Sequence, residues 1–174
     1  MRILGIDPGL DATGYGIIDF DGQNFKVVEA GLVRTSHKRP MEKRLKKIYS
    51  ALTELIKEFQ PKVLVLEKLY SHYKHPTTAI LMGHARGVCC LLSGMFDIEL
   101  INYSPTRIKK AVTGKGNASK DQVQRMVEML LNLKDAAYPA DVTDALALAM
   151  GYVYVNQRSR YDFQNLRQVE IQSQ

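Results

Sequence analysis

Two acidic residues stand where a sheet could bring carboxylates together. Asp7 and Glu67 each follow directly on a short apolar run, a pattern typical of a β-strand. An acid in such a place is either the first exposed residue after its strand or a functional group. Two acids at strand ends favour function, because ligands of α/β sheets gather at the carboxyl edge.

A second pair of acids lies near the C-terminus, where Asp141 and Asp144 are three residues apart in a helical pattern and share a face. The face continues through Ala145 and Leu148, so we expect the helix to pack on the sheet with its carboxylates inward. The alternative is that each Asp only stabilises the helix N-terminus through the dipole. We refer to the following residues as the acid cluster: Asp7, Glu67, Asp141 and Asp144.

Carboxylates brought together repel one another and raise each other's pKa unless a cation compensates. Hard oxygen ligands suit Mg²⁺ or Mn²⁺. Two such ions can activate a water molecule and stabilise the leaving oxygen of a phosphodiester. The acid cluster therefore predicts a divalent-metal site for phosphodiester hydrolysis.

The charge balance predicts a polyanionic partner. The chain of 174 residues has a net charge of +6 and a pI of about 9.3, which favours nucleic acid. One basic patch comprises Arg34, Lys38, Arg39, Lys43, Arg44, Lys46 and Lys47. A second comprises Arg107, Lys109, Lys110, Lys115, Lys120 and Arg125. Two solvated faces are the plainer alternative, but basic patches beside a metal site are what a nuclease needs to hold its substrate backbone.

The composition predicts one globular domain, with 45% hydrophobic and 24% charged residues. No apolar run reaches the ~20 residues that a membrane helix needs, and no signal segment opens the chain. We therefore expect a cytoplasmic protein without a membrane partner. Adjacent Cys89 and Cys90 predict buried thiols rather than a disulfide. His72 and His75 have no suitably spaced Cys pair, so zinc is not predicted.

The order of elements predicts one mixed sheet. Strand patterns occupy residues 2–7, 14–20, 25–34, 62–66 and 98–103. Helical patterns occupy residues 40–59 and 76–94 and the segments that open at Ser104, Ser119 and Pro139. Asp21-Gly22 favours a hairpin. Three antiparallel strands followed by parallel ones give an α/β fold with helices on both faces. We expect a domain over residues 1–156 and a flexible tail over residues 157–174.

The sequence motifs resemble those of the RuvC Holliday-junction resolvases, collinearly over roughly residues 2–155. The motifs are Gly5-Ile6-Asp7-Pro8-Gly9, Thr13-Gly14-Tyr15-Gly16, Glu67, Gly83-x-Ala85-Arg86-Gly87 and Asp141-x-x-Asp144-Ala145-Leu146-Ala147. The resemblance implies an RNase H-like fold, a homodimer and paired nicks in opposed strands of four-way DNA junctions during recombination and repair. It also implies two Mg²⁺ ions per active site, with Mn²⁺ as a substitute, and the branch-migration proteins RuvA and RuvB as partners.

Individual roles follow from the same resemblance. The acid cluster matches the metal-binding acids of the family. Lys109 and Lys120 match basic residues near the scissile phosphate, and Lys115 lies between them in the second basic patch. Tyr70 matches an aromatic residue that stacks on DNA bases and is usually phenylalanine, although the sequence alone favours an ordinary tyrosine at the edge of the core. Lys68 replaces a usual glutamine, placing a cation against the metal site. The remaining pair, Gly83 and Gly87, lies on the helix through which family members dimerise. From spacing alone, these glycines either permit close helix packing or only weaken the helix.

Three other hypotheses stay open at the level of sequence. Gly-Ile-Asp-x-Gly also begins the phosphate loops of actin-like ATPases and sugar kinases, although those folds need a duplicated domain. The chain could be a non-catalytic junction-binding protein on the same fold. It could also be a related RNase H-like nuclease that acts on other branched nucleic acids.

Overall fold

The computed structural model describes residues 1–68, 76–133 and 138–172, with side chains described over residues 1–68, 78–133 and 138–157. The strands are β1 (Arg2–Asp7), β2 (Ala12–Phe20), β3 (Phe25–Arg34), β4 (Val63–Glu67) and β5 (Glu99–Tyr103). The helices are α1 (Met41–Phe59), α2 (Pro76–Met95), α3 (Pro105–Thr113), α4 (Lys120–Leu130) and α5 (Ala140–Gln172). The predicted elements are therefore present, and β2 begins two residues earlier than expected.

The strands form one five-stranded sheet in the order β3-β2-β1-β4-β5. The pairs β1–β2 and β2–β3 are antiparallel, while β1–β4 and β4–β5 are parallel. The Asp21-Gly22 hairpin is confirmed, and the Asp21 carboxylate accepts hydrogen bonds from the backbone of Gln23 and Asn24 at 2.8 Å each. The mixed RNase H-like sheet predicted from the sequence is confirmed.

Helices cover both faces of the sheet and enclose two cores. On one face, Leu4 and Leu64 of the central strands pack with residues of α1 and α2, such as Ile48. On the other face, Ile3 and Val65 pack with residues of α3, α4 and α5. Because successive side chains of a strand alternate between faces, the last residues of β1 and β4 belong to the α3–α5 face.

Helix α5 lies unusually close to the sheet because glycines leave room for it. A Cβ atom at Gly5 would lie 2.0 Å from the carbonyl oxygen of Ala145, and one at Gly14 would lie 2.0 Å from that of Asp141. Any larger residue at either position would push the start of α5 away. Gly14 also pairs with Asp7 across β1 and β2. These glycines therefore bring the beginning of α5 to the end of β1.

Two long helices depart from the sequence expectations. Helix α5 continues to Gln172 and so extends past residue 156, at which we expected the domain to end. The division into a domain over residues 1–156 and a flexible tail stays a prediction. In α2, the segment Thr78–Met95 has a mean hydropathy of 1.2 and is long and apolar enough to cross a membrane by length and composition alone. The expectation that no apolar run reaches such a length is therefore wrong, because the helical residues that precede Gly87 extend the run.

Candidate active site

The ends of β1 and β4 place two acids side by side. Ile6 is the register partner of Leu66 in this parallel pair, so Asp7 and Glu67 follow at equivalent positions. Both side chains leave the sheet on the α3–α5 face, because side chains of register partners point the same way. The prediction that the two acids meet at one sheet edge is confirmed.

Helix α5 contributes the other two acids from its first turns. The backbone amides of Val142 and Thr143 bond to the carbonyl oxygen of Pro139 at 3.0 and 3.2 Å, which fixes where the helix begins. Asp144 lines the same cleft as Asp7 and Glu67. Asp141 is not among the residues that line this cleft, but its charge acts on Asp7.

The cleft has a volume of about 310 Å³ and combines charged and apolar walls. Its polar wall comprises Asp7, Glu67, Asp144, Lys109 and Lys120. Its apolar wall comprises Pro105, Ile108, Val123, Ala147 and Leu148. Apolar walls reduce hydration of the carboxylates and so strengthen every electrostatic interaction between them.

The pKa values show that the acids interact. The pKa of Asp7 is raised from 3.8 to about 7, first by burial and then by the negative charges of the other three acids. Lys120 opposes this shift. The pKa of Glu67 is also raised, first by burial and then by Asp144, while Lys109 and Lys120 act in the opposite direction. Both pKa shifts thus arise first from burial and then from an excess of negative charge that a cation would relieve.

Lys120 provides part of that compensation. Its ammonium nitrogen lies 2.6 Å from a carboxylate oxygen of Asp144, and this hydrogen bond is the main cause of its raised pKa. A capping box fixes the beginning of α4: Ser119 accepts from the Gln122 amide at 3.2 Å, and the Gln122 side chain accepts from the Ser119 amide at 2.9 Å. The first residue of α4 is thereby directed at the acids.

The donor set has the chemistry that a divalent ion requires. Carboxylate oxygens are the ligands that Mg²⁺ and Mn²⁺ prefer, and Mg²⁺ keeps several of its waters. Among the residues that the structure describes, no three His, Cys, Asp or Glu side chains are grouped closely enough to enclose an ion. The residues thus fit a metal by type and charge, and one carboxylate oxygen of Asp144 is engaged by Lys120.

The other predicted site residues lie apart from the cleft or outside the described residues. Lys115 is exposed after α3 and lines a separate groove with Arg125. Gly83 and Gly87 lie on α2, across the sheet, and a Cβ atom at either would meet nothing within 4 Å. Tyr70 falls outside the described residues. Lys68 is exposed. Although we predicted that its charge would act on the metal site, it is not among the groups that shift the pKa of Glu67.

Arg86 is a functional candidate to which the sequence gave no role. From α2 it reaches through to the sheet, where one guanidinium nitrogen donates to the carbonyl oxygen of Glu67 at 2.6 Å. The other donates to the side-chain oxygen of Asn102 on β5. A lone arginine in an otherwise apolar helix was the signal that could have found it. Arg86 ties the position of Glu67 to α2.

The loop that follows Asp7 is held by β3 and α1. The Thr35 hydroxyl donates to the Leu10 carbonyl at 2.6 Å, and the Thr35 amide donates to the Asp11 carbonyl at 2.9 Å. Arg44 forms an ion pair of 2.5 Å with Asp11 and donates to the Thr35 hydroxyl at 2.9 Å. Arg44 is only 9% exposed, so it supports this loop rather than contributing a free surface cation to the first basic patch.

Comparison with known proteins identifies what the chain resembles. A profile of the family described as "Crossover junction endodeoxyribonuclease RuvC" matches residues 3–152. A protein of that name from Alkaliphilus metalliredigens is 46% identical over 154 residues, covering 88% of this chain and 93% of the relative. A protein of the same name from Rhodopirellula baltica is 45% identical over 148 residues, covering 85% of this chain and 83% of the relative.

Solved structures give the same result for the fold. "T. thermophilus RuvC in complex with Holliday junction substrate" superposes with a TM-score of 0.86 at 28% identity, covering 91% of this chain and 96% of that one. The profile match extends from before Asp7 to beyond Asp144 and so includes every residue of the acid cluster.

Proposed function

The chain belongs to the RuvC family of crossover junction endodeoxyribonucleases, and from that membership we propose how its acid cluster acts. The protein is an endonuclease that binds and resolves Holliday junctions, the four-way DNA intermediates of recombination. Nucleases of this family are metal-dependent. We assign the metal to the acid cluster, with two Mg²⁺ ions per site that Mn²⁺ can replace.

The observation that carries this proposal is the position of the partly buried Asp7 beside Glu67 and Asp144 in the cleft, where burial and the other three acids raise its pKa to about 7. Such a group is poorly suited to stand ionised alone, and a divalent cation would stabilise its carboxylate. When bound, the ions supply the Lewis acidity that activates a water molecule and stabilises the leaving oxygen. Asp7 and Glu67 would hold them from the strand ends, and Asp141 and Asp144 would hold them from α5.

Lys120 exchanges partners in this proposal. In the described arrangement its ammonium group neutralises Asp144 at 2.6 Å. Once a metal ion takes over that role, Lys120 is free to contact the negatively charged DNA backbone at the cleft. Lys109 lies on the same wall of the cleft and offers a second phosphate contact. Lys115 on the neighbouring groove and Tyr70, stacking on an opened base, would extend the contact with DNA.

A homodimer through α2 is supported by an exposed apolar face. Ile80, Leu91 and Met95 are 62%, 56% and 54% exposed in the single chain. Their spacing, together with that of Gly87, places them on one face of the helix. A second copy packed on this face would cover them and would explain the apolar segment Thr78–Met95 without a membrane. Two-fold symmetry also suits a substrate that is nicked in two opposed strands.

The cellular setting follows from the family alone. We propose that the protein acts on DNA in the cytoplasm, and that the branch-migration proteins RuvA and RuvB deliver or shape its junction substrate.

The test of the function is cleavage of a synthetic four-way junction with and without Mg²⁺. A linear duplex of the same sequence and an Asp7→Asn variant serve as controls. We expect paired nicks in opposed strands only when the junction, the metal ion and Asp7 are all present. Binding without nicking would leave a junction-binding protein, and equal cutting of the duplex would point to a related nuclease with another substrate.

The dimer is tested by placing a charge on α2. Leu91→Glu should produce monomers in sedimentation experiments and reduce paired nicking, because it buries a carboxylate in an apolar interface. Met129→Glu is the matched control for the oligomeric state alone, since Met129 on α4 is similarly exposed at 61%. If the Leu91→Glu protein remains dimeric, the dimer interface does not include this face of α2.

A further inference from the structure

We propose that a second binding site for the DNA backbone lies beside the cleft, where it grips the phosphates of a junction arm. This inference rests on the proposed function and adds a surface to it. The site, here called the basic cradle, is lined by Arg34, Thr35, Ser36, Arg39, Lys43, Arg44 and Lys47. It is an open groove of about 450 Å³.

The elements around the basic cradle direct its cations to one place. Arg34 ends β3, Arg39 belongs to the connection that follows, and Lys43 and Lys47 lie in the first turns of α1. These two lysines are four residues apart and therefore share a helix face. Arg44 is directed inward to Asp11, so it supports the floor of the groove while the other cations remain exposed.

The exposed cations of the basic cradle have no acidic partner within the part of the chain that the structure describes. The only ion pair found there at this groove joins Arg44 to Asp11. Lys43 and Lys47 therefore repel each other, as like charges four apart on a helix do, and Arg34 and Arg39 add further positive charge to the same groove. An anionic ligand would relieve this repulsion, and an open groove with spaced cations suits a chain of phosphates better than one small anion.

The position of the basic cradle favours the same DNA that enters the cleft. Thr35 lines the groove and also bonds to Leu10 and Asp11 in the loop that follows Asp7. Asp11 is four residues from Asp7, a distance of at most about 14 Å along the chain. That is the length of about four base pairs of DNA. Helix α1 packs on the face of the sheet opposite the cleft, but β1 and β3 end at the same edge of the sheet. A duplex arm whose scissile phosphate lies at Asp7 would therefore reach the basic cradle by passing over this edge.

The first test measures how binding of a four-way junction depends on salt. Asp7→Asn prevents cleavage in all proteins compared, and Lys43→Ala/Lys47→Ala removes two cations of the basic cradle. The matched control, Lys57→Ala/Lys62→Ala, removes two exposed cations near the opposite edge of the sheet, one of them also on α1. We expect the slope of log K against log salt to fall by about 1.8 in the cradle variant, at about 0.9 per phosphate contact, and to stay unchanged in the control.

The second test locates the contact on the DNA. Single phosphates along one arm are replaced by neutral methylphosphonates, and binding is measured with and without the Lys43→Ala/Lys47→Ala change. We expect methylphosphonates placed some base pairs from the centre of the junction to weaken its binding to the protein with an intact cradle. The same replacements should have no further effect on binding to the Lys43→Ala/Lys47→Ala variant. Penalties that are the same in both proteins would overturn the proposal.

The outcomes keep this proposal separate from the function on which it rests. Equal salt slopes for the cradle and control variants would also overturn the basic cradle as a DNA site, and would leave its cations to another kind of partner. Loss of metal-dependent junction cleavage in the unaltered protein would instead remove the proposed function. Both lysines are exposed, so the cradle variant should fold, which thermal unfolding verifies.

Discussion

Two neighbouring regions carry opposite excesses of charge. In the cleft, the carboxylates are partly buried, and this burial, followed by their mutual repulsion, raises the pKa of Asp7 to about 7. In the basic cradle, Arg39, Lys43 and Lys47 are exposed, and salt screens their repulsion over about 8–10 Å. A buried excess of charge needs an ion at a fixed place, while an exposed excess needs only a polyanion nearby. The cleft is therefore suited to chemistry and the basic cradle to holding the substrate.

The largest effect is expected from Asp7→Asn. Loss of a metal ligand removes several kcal/mol of transition-state stabilisation, which corresponds to a fall in cleavage rate of about 1000-fold or more. Junction binding should persist or tighten, because a negative charge near the phosphates is lost. Asp97→Asn, at an exposed turn after α2, is the control. If the Asp7→Asn protein cleaves at the original rate, Asp7 does not belong to the active site, and the contrast between the cleft and the basic cradle fails.

Lys120→Ala should have an intermediate effect, because this residue connects the two kinds of region. It lies among the acids but carries the charge that binds phosphate. We expect the cleavage rate to fall by about 100-fold, the lower end of the range for loss of one electrostatic donor. The salt slope of junction binding should fall by about 0.9. The control is Lys26→Ala, which removes an exposed cation on β3 and should change neither the cleavage rate nor the salt slope. If Lys120→Ala also changes neither, Lys120 has no role in cleavage or in binding.

Arg86→Met tests whether Glu67 is positioned from the opposite face of the sheet. The change removes the donor to the Glu67 carbonyl and should lower kcat by about 10-fold with little change in KM, because misplaced groups cost rate. Arg86→Lys should restore part of kcat. Sedimentation verifies that the variants remain dimeric, since Arg86 lies on α2. If Arg86→Met and Arg86→Lys lose the same amount of activity, and kcat and KM are affected to the same extent, the role of Arg86 is purely structural.

The smallest effect concerns stability without metal. The folded protein holds a proton on Asp7 more tightly than the unfolded chain does, so this stabilisation is complete below pH 3.8 and is lost as pH rises through about 7. In EDTA, Asp7→Asn should therefore be more stable than the parent above pH 7, by about 1–4 kcal/mol. The difference should shrink towards pH 4. Thermal unfolding measures it, and a difference independent of pH would contradict the raised pKa.

Much of the cleft could be predicted from the sequence because its acids obey local rules. Asp7 and Glu67 end apolar strands, and Asp141 and Asp144 are three apart on a helix. Strand alternation and helix periodicity then decide which face each carboxylate occupies. The same local rules identified the strands and their order along the chain.

The interactions that complete the cleft could not be predicted in this way. The contact of Lys120 with Asp144 joins α4 to α5, and that of Arg86 with Glu67 passes between α2 and β4. Nothing in the spacing of a basic residue tells whether it is exposed or directed inward, as the buried Arg44 shows. Such contacts depend on how helices pack across the sheet, which periodicity leaves open.

The most direct test of the acid cluster as a metal site is anomalous diffraction from crystals of the unaltered protein soaked in Mn²⁺. We predict anomalous density among the four acids, and Lys120 turned away from Asp144. Matched crystals of Asp7→Asn should show weaker density or none. An empty cleft at saturating Mn²⁺, with the 2.6 Å contact of Lys120 and Asp144 unchanged, would contradict the assignment.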